Sequence, residues 1–239
     1  MALSSNLFVD IGHSAIKWRM ANSAVVSQPI SDFSLESLPD CAAVWLSYVA
    51  HQDCVEAIKQ RFSSVVVITT PARYKTLSIA YPIPSELGVD RFLAMLGAQA
   101  HYPSRNLIIV DIGSALTFDV VTESGEHRGG LIMPGLNALR SSFEKFATES
   151  DLKGFSGLQN ATKAAWLGGT ESMLISSVKM QIDDFLKQYM NSKVILTGGG
   201  AKSIASSIKA DVEVYDNLVL DGIEQYAKTA SKNSEQWHP

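Results

Sequence analysis

A chain of 239 residues with 46% hydrophobic and 18% charged residues can bury a sizeable core, which excludes extended disorder. Its formal net charge of −4, without Lys/Arg clusters, excludes an electrostatic footprint for nucleic acid. No apolar run reaches bilayer-spanning length and no basic segment leads into an apolar signal core, so the expectation is a cytoplasmic protein without membrane association.

In chain order, Leu7-Phe8-Val9-Asp10-Ile11-Gly12-His13-Ser14-Ala15-Ile16-Lys17-Trp18 predicts an apolar strand that ends in Asp-Ile-Gly and returns as a second strand. Ala24 to Pro39 reads as a short strand and a loop. Ala43-Val44-Trp45-Leu46-Ser47 predicts a buried strand, Gln52 to Phe62 a helix carrying Val55, Ile58 and Phe62, and Ser64 to Ile68 another buried strand. This alternation implies a layered α/β domain with parallel pairs. Cys41 and Cys54 are too few for a disulfide scaffold and too far apart for a Cys-x-x-Cys site, and the five histidines lack zinc-ligand spacing.

Tyr81-Pro82-Ile83-Pro84 predicts a rigid, non-helical lead-in, because each proline removes a donor and extends its predecessor. Phe92 to Ala100 is rich in helix formers, which puts Asp90 and Arg91 near a helix start. A capping acid beside a solvated base would explain that pair equally well.

The second half opens at about Leu107 with the same device, Leu107-Ile108-Ile109-Val110-Asp111-Ile112-Gly113-Ser114-Ala115-Leu116 and a return strand to Val121. An echo at about this separation predicts two domains, 1–105 and 106–239. Gly129 to Gly135 brackets a short apolar strand, and glycines at its ends admit another backbone closely. Leu136 to Phe146 predicts a helix with Leu139, Phe143 and Phe146 on one side, and Gly154 to Gly157 a loop. Thr170 to Met190 carries Leu174, Val178, Ile182, Phe185, Leu186 and Tyr189 as a helical stripe suited to a core or a dimer contact. Lys193 to Leu196 is a further buried strand, followed by Thr197-Gly198-Gly199-Gly200 and a helix from Ala201. That turn is not a P-loop, which would need Gly where Ala201 and Leu196 stand. Ser231 to Pro239 is a polar tail expected to fray.

The chemistry follows from the repeated turn. Glycine lets peptide N–H groups approach an anion closely, and the adjacent Ser14 and Ser114 hydroxyls add donors. Asp10 and Asp111 supply fixed negative charge able to hold Mg²⁺ or another cation against a nucleotide. A single Asp-Ile-Gly is equally well a strand-ending turn; two copies of one pattern favour a polyphosphate gripped between them.

Together these residues resemble a type III pantothenate kinase, a family of the acetate and sugar kinase, Hsp70 and actin superfamily. The resemblance runs in order from Asp10 to Gly200, and the ordered set carries it. Asp10-Ile11-Gly12-His13-Ser14 with Lys17 resembles the first phosphate motif, and Asp111-Ile112-Gly113-Ser114 through Asp119 the second. Tyr81 to Pro84 and Gly88-Val89-Asp90-Arg91 resemble the substrate segment, and Gly129 to Gly135 the family's Gly-Gly-x-Ile-x-Pro-Gly. Thr162 matches a threonine on the pantothenate side, and Thr197-Gly198-Gly199 the adenosine motif. Two departures stand out: His13-Ser14 replaces the usual Asn-Thr, and Ser114 a Thr. Serine keeps the hydroxyl, so phosphate binding is expected to survive. His13 could bond phosphate as Asn would, or mark an altered nucleotide preference.

The resemblance implies two actin-like (ribonuclease H-like) α/β domains with mixed sheets flanked by helices and a cleft between them. It implies transfer of the ATP γ-phosphoryl group to pantothenate, giving 4'-phosphopantothenate, the first step of coenzyme A biosynthesis. Asp90 would be the catalytic base, with Tyr81, Gly88, Val89, Arg91 and Thr162 around pantothenate. Gly12, His13, Ser14, Lys17, Gly113, Ser114, Gly198 and Gly199 would contact ATP. Asp10 would hold Mg²⁺ through water and Asp111 a monovalent cation, potassium or ammonium. A homodimer is also implied. The competing expectations are another small-molecule kinase of the same superfamily and a non-catalytic nucleotide-binding regulator.

Overall fold

The computed structural model describes residues 5–143, 145–146, 152–155 and 157–235. Two units emerge, one made of Met1–Pro103 with Asn217–Pro239 and the other of Ser104–Asp216.

The first unit is built on a five-stranded sheet. Its strands are β1 (Asn6–Ile11), β2 (Ala15–Met20), β3 (Val26–Pro29), β4 (Ala43–Tyr48) and β5 (Val65–Val67), in the order β3-β2-β1-β4-β5. The hairpin β1–β2 is antiparallel and the β1–β4 and β4–β5 pairs are parallel, which makes the sheet mixed. Leu7, Val9, Ile11, Val44 and Leu46 pack with Val55 and Ile58 of α1 (Gln52–Arg61). Alternation along a strand sends Phe8 and Trp45 to the opposite face, where Trp45 meets Tyr226 edge-on, with ring centroids 6.3 Å apart. Burial on both faces explains why β1 and β4 read as unbroken apolar runs. Strand β5 lies at the sheet edge and is only partly buried, although its valines read as a core strand.

The second unit repeats this order. Its strands are β8 (Leu107–Ile112), β9 (Ala115–Val121), β10 (His127–Pro134), β11 (Lys193–Thr197) and β12 (Val212–Val214), arranged β10-β9-β8-β11-β12. Between the units' main sheets in sequence come the short pair β6 (Arg73–Tyr74) and β7 (Leu77–Ser78) and then α2 (Val89–His101). The predicted helix over Leu136 to Phe146 is shorter: α3 covers Leu136–Ser141, Phe143 is exposed, and Glu144 lies outside the described residues. The stripe helix is longer, α4 running Thr162–Gln188, with Leu174, Val178 and Ile182 buried in the core against β8, β9 and β11. Helix α5 (Ala201–Ala205) follows β11.

The C-terminal helix α6 (Leu218–Glu235) corrects the expected halves, because it packs in the first unit instead of completing the second. Helices α2 and α6 cross through bare backbone. A methyl group on Gly97 would strike the Leu218 carbonyl oxygen and come 3.1 Å from the Gly222 nitrogen; one on Gly222 would strike Leu93, with its carbonyl carbon at 2.6 Å. Such proximity excludes any side chain at either crossing point. Tyr226 then stacks on Tyr74 at 4.6 Å between ring centroids. Arg19 of β2 bonds Asp221 and Glu224 of α6 at 2.9 and 2.7 Å. The helix also runs through Glu235, into the tail expected to fray; the remainder of that tail lies outside the described residues.

Candidate active site

In the first unit, the parallel register sets Asp10 beside Ser47, and the hairpin register sets it opposite Lys17. The Ser47 hydroxyl donates to Asp10 Oδ1 at 2.7 Å. Burial raises the Asp10 pKa to about 6, with the Asp90 carboxylate adding to the rise while Ser47 and Lys17 oppose it. Asp10 and Asp90 therefore feel one another electrostatically within this unit. The sequence reading missed Ser47, although a hydroxyl closing an otherwise apolar strand was the available signal.

The turn after Asp10 is closed by the Gly12 N–H donating to the Ala15 carbonyl at 3.0 Å. His13 and Ser14 stand exposed at its tip. The Ile30 N–H holds the Ser14 carbonyl at 3.0 Å, and His51 Nε2 lies 3.0 Å from the His13 carbonyl.

Asp90 and Arg91 occupy the first turn of α2, as the helix formers predicted, with Gly88 as the N-cap. Asp90 Oδ1 accepts the Arg91 backbone N–H at 2.8 Å, so the capping role and the proximity to Asp10 coexist in one carboxylate. A Cβ on Gly88 would lie 2.5 Å from Asp90 Oδ1, so a side chain here would shift that carboxylate. Val89 is buried beside it. Arg91 is not a solvated base: it is 6% exposed, and its Nη1 donates to the Tyr81 hydroxyl at 3.1 Å. Its guanidinium carbon also stands 5.8 Å from the Tyr81 ring centroid. Tyr81 and Arg91, ten positions apart, are thus one structural element.

In the second unit, Asp111 is the next-to-last residue of β8, paired in register with Thr117 and Thr197. The Gly113 N–H closes the turn on the Ala115 carbonyl at 3.0 Å, and Gly113 and Ser114 are exposed. Bare backbone surrounds this turn. Gly198, at φ +87°, lies where a Cβ would strike Asp111 Oδ1 and come 2.7 Å from the Ile112 carbonyl oxygen. The Gly200 N–H donates to that carbonyl at 2.9 Å. A Cβ on Gly135 would sit 2.5 Å from the Gly113 and Ser114 carbonyl oxygens, which realises the close approach expected of the glycine-bracketed segment. A Cβ on Gly199 would meet nothing within 4 Å.

Two residues stand apart from these turns. Thr162 is exposed at the first position of α4 and takes part in none of the contacts just described. Asp119 is buried against His127 Nε2 at 3.0 Å, a pair that ties β9 to β10 at the irregularity in their register.

Among the described residues no cluster of three or more His, Cys, Asp or Glu could enclose a metal. The carboxylates instead suit a cation shared with a ligand, the manner in which Mg²⁺ is usually bound through one or two carboxylates, waters and phosphates. Asp10 fits that use, because burial and the Asp90 charge both burden its ionised form and a cation would relieve it. Asp111 is the corresponding carboxylate of the second turn and stands beside glycine backbone.

The family profile described as type III pantothenate kinase matches residues 6–184. A type III pantothenate kinase of Alcanivorax borkumensis is 30% identical over 242 residues, covering 92% of this chain and 98% of that protein. One from Colwellia psychrerythraea is 32% identical over 173 residues, covering 64% of this chain and 67% of its own length. Among solved structures, a Baf family protein from Campylobacter jejuni superposes with a TM-score of 0.60 at 21% identity, covering 96% of this chain and 99% of its own. A 2-dehydro-3-deoxygalactonokinase-like protein from Sinorhizobium meliloti gives 0.52 at 13% identity, with 94% and 99% covered, and supports the fold alone. Fold, ordered motifs and relatives agree that this chain belongs to the type III pantothenate kinase family.

Proposed function

We propose that the protein transfers the γ-phosphoryl group of ATP to the primary hydroxyl of pantothenate, the first step toward coenzyme A. The observation that carries this reading is the head of α2, where Asp90 is electrostatically coupled to Asp10 and is followed by an Arg91 already bonded to Tyr81.

Phosphoryl transfer through a loose transition state asks for alignment and charge stabilisation more than for covalent chemistry. Asp90 orients the acceptor hydroxyl and takes its proton as the bond to phosphorus forms. Arg91, oriented by its bond to Tyr81, brings a planar guanidinium to the pantothenate carboxylate, a contact that a lysine point charge would not reproduce. Gly88 and Val89 bring the backbone of the helix start to the same acceptor, and Thr162 contributes from α4. Gly12, His13, Ser14 and Lys17 serve phosphate in the first unit; Gly113, Ser114, Gly198 and Gly199 serve ATP in the second. Asp10 would hold Mg²⁺, which when bound would neutralise charge on the phosphates, and Asp111 would hold potassium or ammonium beside the second turn.

We propose a homodimer as the working form. Met173 and Met180 on α4 and Ile132 on β10, 57%, 55% and 67% exposed, are apolar surface that such a pairing would cover.

The deciding assay couples ADP release to a reporter with and without pantothenate, alongside a panel of other hydroxylated acceptors. ADP release that depends on pantothenate is expected; release with another acceptor alone would transfer the reading to a different small-molecule kinase, and ATP binding without any transfer would leave a regulator. In the same assay, chloride salts of potassium or ammonium should support turnover that sodium does not. Equal rates in all three would remove Asp111 from its proposed role.

A further inference from the structure

We propose that His51 is a positioning residue for the first phosphate turn, fixing the peptide between His13 and Ser14 so that its N–H, and not its carbonyl, meets nucleotide phosphate. The inference rests on the reading that this turn binds ATP.

His51 sits at the N-cap of α1 yet makes no side-chain bond to its own helix. Its backbone is left-handed, at φ 59° and ψ 57°, an uncommon and mildly costly conformation for a residue with a side chain. The ring instead reaches the turn, with Nε2 3.0 Å from the His13 carbonyl. A carbonyl can only accept, so Nε2 carries the hydrogen in this contact. In a planar trans peptide the C=O and N–H groups point in opposite directions. Holding the His13 carbonyl toward His51 therefore directs the Ser14 N–H to the other side. The following peptide is held the same way, by the Ile30 N–H on the Ser14 carbonyl.

The bond completes a regular series. From the end of β4, every second residue grips the strand end or turn after β1: Ser47 bonds Asp10, the Val49 N–H donates to the Ile11 carbonyl at 3.1 Å, and His51 bonds His13. The second unit keeps the middle contact, Gly200 N–H to Ile112 carbonyl, but its turn is one residue shorter. Ile11 pairs with Ile16 across the first turn, whereas Ile112 pairs with Leu116 across the second. The longer turn has one more peptide to orient, and His51 is the side chain that orients it.

The test uses His51→Gly, which accepts the left-handed backbone while deleting the ring, and His51→Gln, which returns a side-chain N–H donor. ATP binding in the presence of Mg²⁺ is titrated calorimetrically, and steady-state kinetics are measured for both substrates. We expect His51→Gly to weaken ATP binding and raise the ATP KM about five- to tenfold, the scale of one lost hydrogen bond. The pantothenate KM and the melting midpoint should stay near wild type, and His51→Gln should recover most of the loss. Unchanged ATP affinity in His51→Gly, a loss in His51→Gln as large as in the glycine variant, or a loss that merely follows a lowered melting midpoint would each overturn the proposal. Wild-type protein that binds ATP but does not phosphorylate pantothenate would defeat the activity reading alone; protein that binds no ATP would defeat both.

Discussion

The two sheets share one strand order and one Asp-Ile-Gly turn, yet they brace that turn by different means. In the first unit side chains add to the backbone bonds from Val49 and Ile30: Ser47 on Asp10 and His51 on His13. In the second, bare backbone does it, through Gly198 against Asp111, Gly200 on Ile112 and Gly135 under Ser114. Side-chain bracing places charge and hydrogen-bond donors around a partly buried carboxylate. Glycine bracing removes bulk, so a ligand can lie on the main chain. One strand order repeated in a chain thus surrounds its turn with polar side chains in one copy and with bare backbone in the other.

The largest expected effect separates the units by chemistry. Asp90→Asn should leave the fold intact and lower turnover by about two orders of magnitude or more, the usual scale for a general base. Turnover close to wild type would reduce Asp90 to the helix-end acid that its bond to the Arg91 N–H already makes it.

A matched pair of substitutions probes the bracing itself. Gly198→Ala forces a side chain into a left-handed position already filled by Asp111 and Ile112, and should cost about 2–4 kcal/mol in denaturant unfolding. Gly12→Ala meets only the Ala15 carbonyl, 3.3 Å away, and should cost about 1 kcal/mol or less. Equal costs would mean that the two turns are held alike after all.

Asp10 gives a pH signature confined to the first unit. Its pKa is about 6 in the folded protein against an ordinary value of 3.8, so the folded state prefers the protonated form. The ionised carboxylate is therefore a burden above pH 6, and the burden vanishes below the ordinary value, where both states are protonated. Without nucleotide or Mg²⁺, Asp10→Asn should raise stability at pH 8 by about 2–3 kcal/mol, and the gain should fade as pH drops through this window. The same variant should lose activity. A variant no more stable than wild type at pH 8 would show that the carboxylate is not strained by its surroundings.

Much of this was legible in the sequence because it depends on local pattern. The Asp-Ile-Gly repeat marked both hairpins, the apolar runs marked sheets covered on two faces, and the helix formers after Arg91 placed Asp90 at a helix start. What escaped depends on partners distant in the chain. Ser47 and His51 act on residues 37 and 38 positions away, and only the parallel register brings them there. The sequence left Arg91 open between a solvated base and a substrate contact, because its burial depends on the rest of the first unit. The short α3 shows the opposite failure: Leu139, Phe143 and Phe146 have helical spacing, but Phe143 stacks edge-on with Trp166 beyond the end of the helix. Helix α6 and its packing on α2 escaped because Gly97 and Gly222 carry no hydrophobic signal; their value is that they carry nothing at all.

The route of the polypeptide also bears on how the molecule is made. Residues 104–216 are contiguous and are synthesised before α6, so Trp45 and Phe92 await the Tyr226 that will cover them until α6 has emerged. Assembly is therefore expected to finish at the part of the chain that began it, and the interval before α6 arrives is when an unshielded aromatic face is most exposed to aggregation.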